Sequence, residues 1–227
     1  MAMSRTAIIT GASGGLGGAV VEAFLDDGWR VVAPVRDAAR SGLGEHERLV
    51  VVEADLLDEA DVARVADVEG ADVRAAVNLV GGYDAPGRVH EAPVAAFEEQ
   101  LRINLRPAYL VTAAALPAML TAGTGAIVCV SSRAGLQPFP GAAGYVTAKA
   151  AVLGFVDALH AEYRGDGIRA NAVLPSVIDT PANRAAMPDA DHARWVAPAE
   201  IADVIRYLCS DTAAATSGAH VPVYGRA

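Results

Sequence analysis

The chain has 227 residues, 53% of them apolar and 20% charged, a balance that excludes a disordered protein and suits one globular α/β domain over residues 1–227. Acidic residues outnumber basic ones 27 to 18, and the formal charge of −9 is the wrong sign for general attraction to nucleic acid or an anionic membrane. The two cysteines, Cys129 in an apolar run and Cys209 in "VIRYLCS", read as small buried apolar residues in a reducing cytoplasm rather than as a disulfide.

In chain order, the first strand is expected at 6–10, "TAIIT", with no charged head, long apolar run and cleavage site of a secretion signal before it. It enters "TGASGGLG", where Gly11, Gly15 and Gly17 follow a G-x-x-x-G-x-G pattern. Glycines let the chain turn sharply and let a pyrophosphate approach the backbone, while the next helix opens with unpaired N–H donors. Gly11, Ser13, Gly14, Gly15, Leu16 and Gly17 are therefore candidate dinucleotide ligands. A plain glycine-rich turn is the competing reading, which the position at the first βα junction disfavours. The helix "LGGAVVEAFLDDG" places Val20, Phe24 and Leu25 on one face and ends at Gly28, a left-handed stop. The second strand, 30–35, ends in "APVRD", with Val35 where an acidic residue would hold a ribose diol and Arg36 placed for a 2′-phosphate. NADP(H) is favoured, and NAD(H) stays possible through Asp37. After the third strand, 49–54, Asp55 and Leu56 are candidates for the adenine end, Asp55 serving equally well as a helix N-cap.

The fourth strand, 73–80, carries Asn78 and leads to Gly81; the long helix at 93–122 holds Asn104; the fifth strand, 126–132, ends at Ser132. A further helix at 143–164, a strand at 168–175, a helix "APAEIADVIRYLCSD" and a last strand at 219–224 complete the pattern, with loops at "RAGLQPFPGAAG" and at 179–195. Most strands are apolar continuously, as strands covered on both faces must be, and strand alternates with helix throughout. The fold class is α/β, a Rossmann-type, doubly wound, seven-stranded parallel sheet with helices on both faces. The apolar stretch "AYLVTAAALPAML" is interrupted by Thr112 and Pro117 and is too short to span a bilayer, so no membrane partner is expected. His46, His90, His160, His192 and His220 lie apart without metal-ligand spacing, and no metal is expected.

"YVTAK" puts Tyr145 and Lys149 nearly one helical turn apart, on one face. A free phenol with a pKa near ~10 is a sluggish acid at neutral pH, and shifting it by about two to three units takes roughly 3–4 kcal/mol of phenolate stabilisation. An ammonium aided by an oxidised nicotinamide ring can supply that. Alone the pair is common on helix surfaces; its setting after Ser132, Asn104 and the glycine loop is not.

This ordered set, with "AVNLVGG", "INL", "VSS" and "NAVLPSVIDTP", resembles the short-chain dehydrogenase/reductase family from Thr6 to about Arg226. The resemblance implies Tyr145 as general acid/base and Lys149 as the cation that lowers its pKa and holds the nicotinamide ribose. It implies Ser132 as hydrogen-bond donor to the substrate carbonyl, Ser131 being the alternative serine, and Asn104 as anchor of a water leading to Lys149. Asn78, Gly81, Pro175, Val177, Ile178 and Thr180 would complete the cofactor wall, although "NLVGG" and Pro175–Ser176 depart from the family's usual Asn-Asn-Ala-Gly and Pro-Gly. Stretches such as "DTPANRAAMPDAD" look similar to the quinonoid dihydropteridine reductase branch, which favours NADH through an acidic residue absent here and lacks the Ser and Asn present here. The activity implied is hydride transfer between nicotinamide and a small carbonyl, imine or alcohol, with reduction favoured; a dinucleotide-binding regulator without catalysis is the alternative from another class. The substrate cavity is expected beyond the strand ends, under a lid at 181–195, walled by Gly82, Tyr83, Arg133 to Pro138, Met187 and Trp195. The family's habit implies a homodimer or homotetramer through the two long helices and the last strand.

Overall fold

The computed structural model describes residues 5–226. Strands β1 (Arg5–Ile9), β2 (Arg30–Val35), β3 (Leu49–Glu53), β4 (Asp72–Asn78), β5 (Gly125–Val130), β6 (Ile168–Pro175) and β7 (His220–Val223) form one seven-stranded sheet in the order β3-β2-β1-β4-β5-β6-β7. Every pairing is parallel. Helices α1 (Gly17–Asp26) and α6 (Pro198–Cys209) cover one face; α2 (Glu59–Ala66), α3 (Val94–Ala122) and α4 (Ala143–Tyr163) cover the other. Continuous apolarity follows directly from this sandwich: in β5, Ala126, Val128 and Val130 enter one core while Ile127 and Cys129 enter the other.

Local signals set the element ends. Gly28 takes φ +80°, and the Trp29 N–H reaches back to the Phe24 carbonyl at 3.0 Å, closing α1 so that Trp29 can pack against Phe24. Helix α3 ends the same way at Gly123, φ +65°. At 29 residues, α3 is long and apolar enough to cross a bilayer by composition, yet Ala108, Val111, Ala115 and Met119 are buried in the protein core. Both cysteines are free and buried, and burial pushes their thiols up, Cys129 to about 11 and Cys209 to about 12.

One expectation needs correction. The loop at 179–195 contains a short helix, α5 (Pro181–Ala186), whose first turn is capped by Thr180 Oγ1 accepting the Asn183 N–H at 3.2 Å. Six residues are too few for an apolar period to register in the sequence, while the Thr-Pro start was the usable signal.

The chain leaves β1 for α1 on one face and β4 for α3 on the other, although β1 and β4 are neighbours. That reversal opens a crevice at the carboxyl ends of the central strands.

Candidate active site

The glycine turn lies at this crevice. Gly11 has φ +67°, and a Cβ there would press within 3.2 Å of the Leu79 and Val80 backbone, so the first turn passes directly over the end of β4. A Cβ on Gly17 would overlap the Gly11 carbonyl, and one on Gly15 would stand 2.7 Å from Thr180 Cγ2. Ser13, Gly14 and Gly15 are exposed, whereas Leu16 is buried beneath them. Helix α1 starts with no side-chain cap and no acidic residue in its first turn, leaving free N–H donors and positive potential beside the glycines. The combination fits a pyrophosphate.

Thr10, which the sequence reading passed over, fixes this geometry. Its hydroxyl donates to the Val77 carbonyl at 3.4 Å and accepts from the N–H groups of Leu79 at 3.0 Å and Val80 at 3.4 Å. Along the adenine side, Arg36 is exposed just past β2, and the Asp37 carboxylate is engaged by Arg40, accepting its N–H at 3.2 Å. Asp55 does not cap α2, since Asp58 accepts from Ala60 and Asp61. Asp55 instead accepts the Leu57 N–H at 3.0 Å and remains exposed, and the Leu56 side chain is buried in the core, leaving only its backbone for a ligand.

The reacting groups meet where β5 gives way to α4. Ser131 is buried, and its hydroxyl donates to the Lys149 carbonyl at 2.7 Å. Ser132, the next residue, opens a 3-10 turn, accepts the Ala134 N–H at 3.1 Å, and hydrogen-bonds the Tyr145 phenol. The Lys149 ammonium is buried, donates to the Val130 carbonyl at 3.2 Å, and stands 5.9 Å from the Tyr145 ring centre. A Cβ on Gly81 would lie 2.9 Å from that ammonium and 2.6 Å from Asn104 Oδ1, so glycine is needed to let the turn after β4 come this close.

The electrostatics differ from expectation in one respect. Burial raises the Tyr145 pKa; the Ser132 hydrogen bond opposes the rise and the neighbouring Tyr83 adds to it. Burial also lowers Lys149 to about 8. The protein's own groups therefore hold the phenol protonated at neutral pH, and the ammonium does not bring it down unaided.

Asn104 lies beside the turn after β4. Its Nδ2 donates to Gly82 O at 3.0 Å, Gln100 O at 2.9 Å and Gln100 Oε1 at 3.3 Å, and its Oδ1 accepts the Gly82 N–H at 3.2 Å. Both Nδ2 hydrogens are engaged by protein and the side chain clamps the Gly81–Gly82 turn to α3, with one further acceptor position left on Oδ1. Gln100, one turn before Asn104, was missed; a second amide at i−4 on an apolar helix face was its signal. Asn78 donates to Thr112 at 3.0 Å inside the core, with its Oδ1 buried and without a partner among the described residues.

Tyr83 meets Tyr145 edge-on, ring centres 5.1 Å apart, and is itself 64% exposed. Phe139 stands 6.4 Å from Tyr83. Arg133 turns toward Gln137 at 2.7 Å and the Tyr224 ring, and Pro138 is exposed. Val177, Ile178 and Asp179 are pinned by Val196, Asn183 donates to the Ile178 carbonyl at 2.8 Å, and Asp179 pairs with Arg184. Trp195 meets His192 at a tilt, ring centres 4.3 Å apart, and the His192 ring bonds the Met187 carbonyl at 2.9 Å. Pro175 is buried at the end of β6, and Ser176 bonds the Tyr224 carbonyl at 2.7 Å. Tyr83, Phe139 and Met187 are exposed. No group of three or more metal-ligating side chains occurs among the described residues.

Comparison with known proteins agrees with this geometry. Residues 5–191 match the family model described as short chain dehydrogenase. The chain is 35% identical to the 2-(R)-hydroxypropyl-CoM dehydrogenase of Xanthobacter autotrophicus, covering 98% of each. It is 33% identical to the cis-4-hydroxycyclohexanecarboxylate dehydrogenase of Sinomonas cyclohexanicum, over 97% of this chain and 95% of that one. Among solved structures, a 3-oxoacyl-[acyl-carrier protein] reductase from Brucella melitensis with bound NAD superposes with a TM-score of 0.85 at 30% identity, covering 99% of this chain and 91% of that one.

Proposed function

The chain belongs to the short-chain dehydrogenase/reductase family and is an NAD(P)-dependent oxidoreductase, and from that premise we propose that it reduces a small carbonyl or imine compound with NADPH. The observation that carries the reading is the convergence of three groups, Tyr145 beside Ser132 with the buried Lys149 ammonium 5.9 Å from the phenol ring centre. A protonated phenol is a proton donor, which reduction requires.

The free N–H groups at the start of α1 and the bare backbone of Gly14 and Gly15 hold the pyrophosphate, and Ser13 and Arg36 take the 2′-phosphate of NADP(H). NAD(H) remains a usable second cofactor. Pro175, Val177, Ile178 and Thr180, with Gly81 opposite, form the wall against the nicotinamide, and Asn78, its side chain turned into the core against Thr112, supports that wall from behind. When bound, the cofactor supplies the hydride. Ser132 donates a hydrogen bond to the substrate oxygen, and Tyr145 delivers the proton as charge builds there. Lys149 orients the nicotinamide ribose and supports the phenolate left behind. Asn104 acts at one remove, fixing the Gly81–Gly82 turn against the ammonium.

Segment 181–195, with Met187 and Trp195, serves as a lid that closes over substrate against Gly82, Tyr83, Arg133 and Pro138. The protein works as one cytoplasmic domain and assembles as a homodimer or homotetramer, in support of which α3 and α4 present Tyr109 and Phe155 together, ring centres 5.8 Å apart, with Tyr109 57% exposed. The test is NADPH and NADH oxidation against ketones, diketones, a cyclic imine and a quinonoid pterin, with secondary alcohols and NADP+ for the reverse direction. Turnover of at least one carbonyl or imine, faster with NADPH, is expected. Cofactor binding without turnover of any compound would return the protein to the non-catalytic reading.

A further inference from the structure

A dinucleotide laid across the crevice brings its adenine ribose to the end of β2, where an acidic side chain would accept the 2′-hydroxyl. Here β2 ends in Val35, which is buried and offers no acceptor. Its neighbour in register on β3 is Glu53. Adjacent strands lie about 4.8 Å apart, and alternate residues of a strand share a face. Ala33 on β2 and Leu49 on β3 pack toward α1 and α6, so Val35 and Glu53 point to that same side, the side on which α1 leaves the glycine turn.

Glu53 also reaches the turn that follows β2. It is exposed, and its carboxylate accepts the Ala38 N–H at 3.3 Å, two residues beyond Arg36. Asp37, the other acid of this turn, is paired with Arg40. Arg36 and Glu53, by contrast, stand in no ion pair among the described residues. An unpaired guanidinium and an unpaired carboxylate thus flank one turn, and each suits a different ligand group. The guanidinium attracts a 2′-phosphate, whereas the carboxylate repels it and accepts a hydrogen bond from a 2′-hydroxyl.

We propose that Glu53 is the residue that admits NADH: it supplies from β3 the ribose acceptor that β2 lacks, and it weakens NADPH binding by standing beside the 2′-phosphate that Arg36 takes. The inference rests on a dinucleotide lying over the glycine turn, as proposed above, and it gives Glu53 a part in cofactor selection rather than in hydride transfer. Sequence position alone does not reveal this residue, because Val35 and Glu53 meet only through the pairing of β2 with β3.

The test is calorimetric titration of NADPH and of NADH at low ionic strength, where exposed charges are least screened, a readout independent of turnover. Glu53→Gln keeps an oxygen that can accept the Ala38 N–H, so the turn is preserved and only the charge is removed. NADPH should bind about threefold tighter and NADH about threefold more weakly, moving the ratio of the two dissociation constants about tenfold. A ratio within about twofold of the parent's would overturn the proposal. So would an equal loss of both cofactors, which would make Glu53 a support for the turn alone. The two readings fail separately: if Arg36→Ala weakens both cofactors alike while Glu53→Gln still moves the ratio, Arg36 loses the 2′-phosphate and Glu53 keeps its part. A parent protein that binds neither cofactor overturns both.

Discussion

Replacing Lys149 with Met should make the protein more stable while ending its activity. Burial holds the ammonium at a pKa of about 8, against an ordinary value of 10.5. A folded-state value below the unfolded one means that the unfolded chain binds more protons, so this group costs stability at low pH and releases the cost as pH rises between about 8 and 10.5. At 1.36 kcal/mol per pKa unit the charge costs about 3 kcal/mol at pH 7 and less than about 1 kcal/mol at pH 10. Methionine is nearly isosteric and neutral; it removes the charge and forfeits one hydrogen bond, to the Val130 carbonyl, worth about 1 kcal/mol. Lys149→Met should therefore gain roughly 2 kcal/mol at pH 7, read as a higher urea midpoint at unchanged slope, and lose that advantage by pH 10. A variant that is less stable at pH 7, or a gap that does not move with pH, would refute the reasoning that a desolvated charge is stored there for function.

Three further outcomes follow from particular contacts. In the reduction direction kcat/KM should fall as pH rises through about 8, where Lys149 loses its charge, and Lys149→Arg, which stays charged, should remove that break. Gly81→Ala should fold but drop kcat more than tenfold, because the new methyl displaces Asn104 Oδ1 and the ammonium; circular dichroism and steady-state kinetics separate these effects. Arg36→Ala should raise KM for NADPH at least tenfold and leave that for NADH nearly unchanged, and equal effects on both would remove Arg36 from the 2′-phosphate.

Much of the fold was legible because its signals are local. Gly28 and the alternation of apolar strands with amphipathic helices set the order of elements, and the glycine loop marks the crevice. What could not be read is what depends on distant segments meeting. That Asn104 spends its amide hydrogens on Gly82 and Gln100 requires knowing how closely the turn after β4 approaches α3. The direction of the Tyr145 shift depends on burial and on Tyr83, both set by tertiary packing, so the favourable Lys149 charge looked larger from the sequence than it is in place. Helix α5 was hidden by its brevity, and the cap of α2 proved to be Asp58, three residues beyond Asp55, because the helix starts later than the end of β3 suggested.

The account stands or falls with the phenol oxygen of Tyr145. Tyr145→Phe removes that oxygen and keeps the ring that packs on Tyr83. In a single-turnover measurement of NADPH oxidation by a turned-over carbonyl, with cofactor affinity measured separately by fluorescence, the variant should bind NADPH as the parent does and transfer hydride about 10²- to 10⁴-fold more slowly. Hydride transfer within a few fold of the parent would contradict the account, whatever the fold and the family suggest.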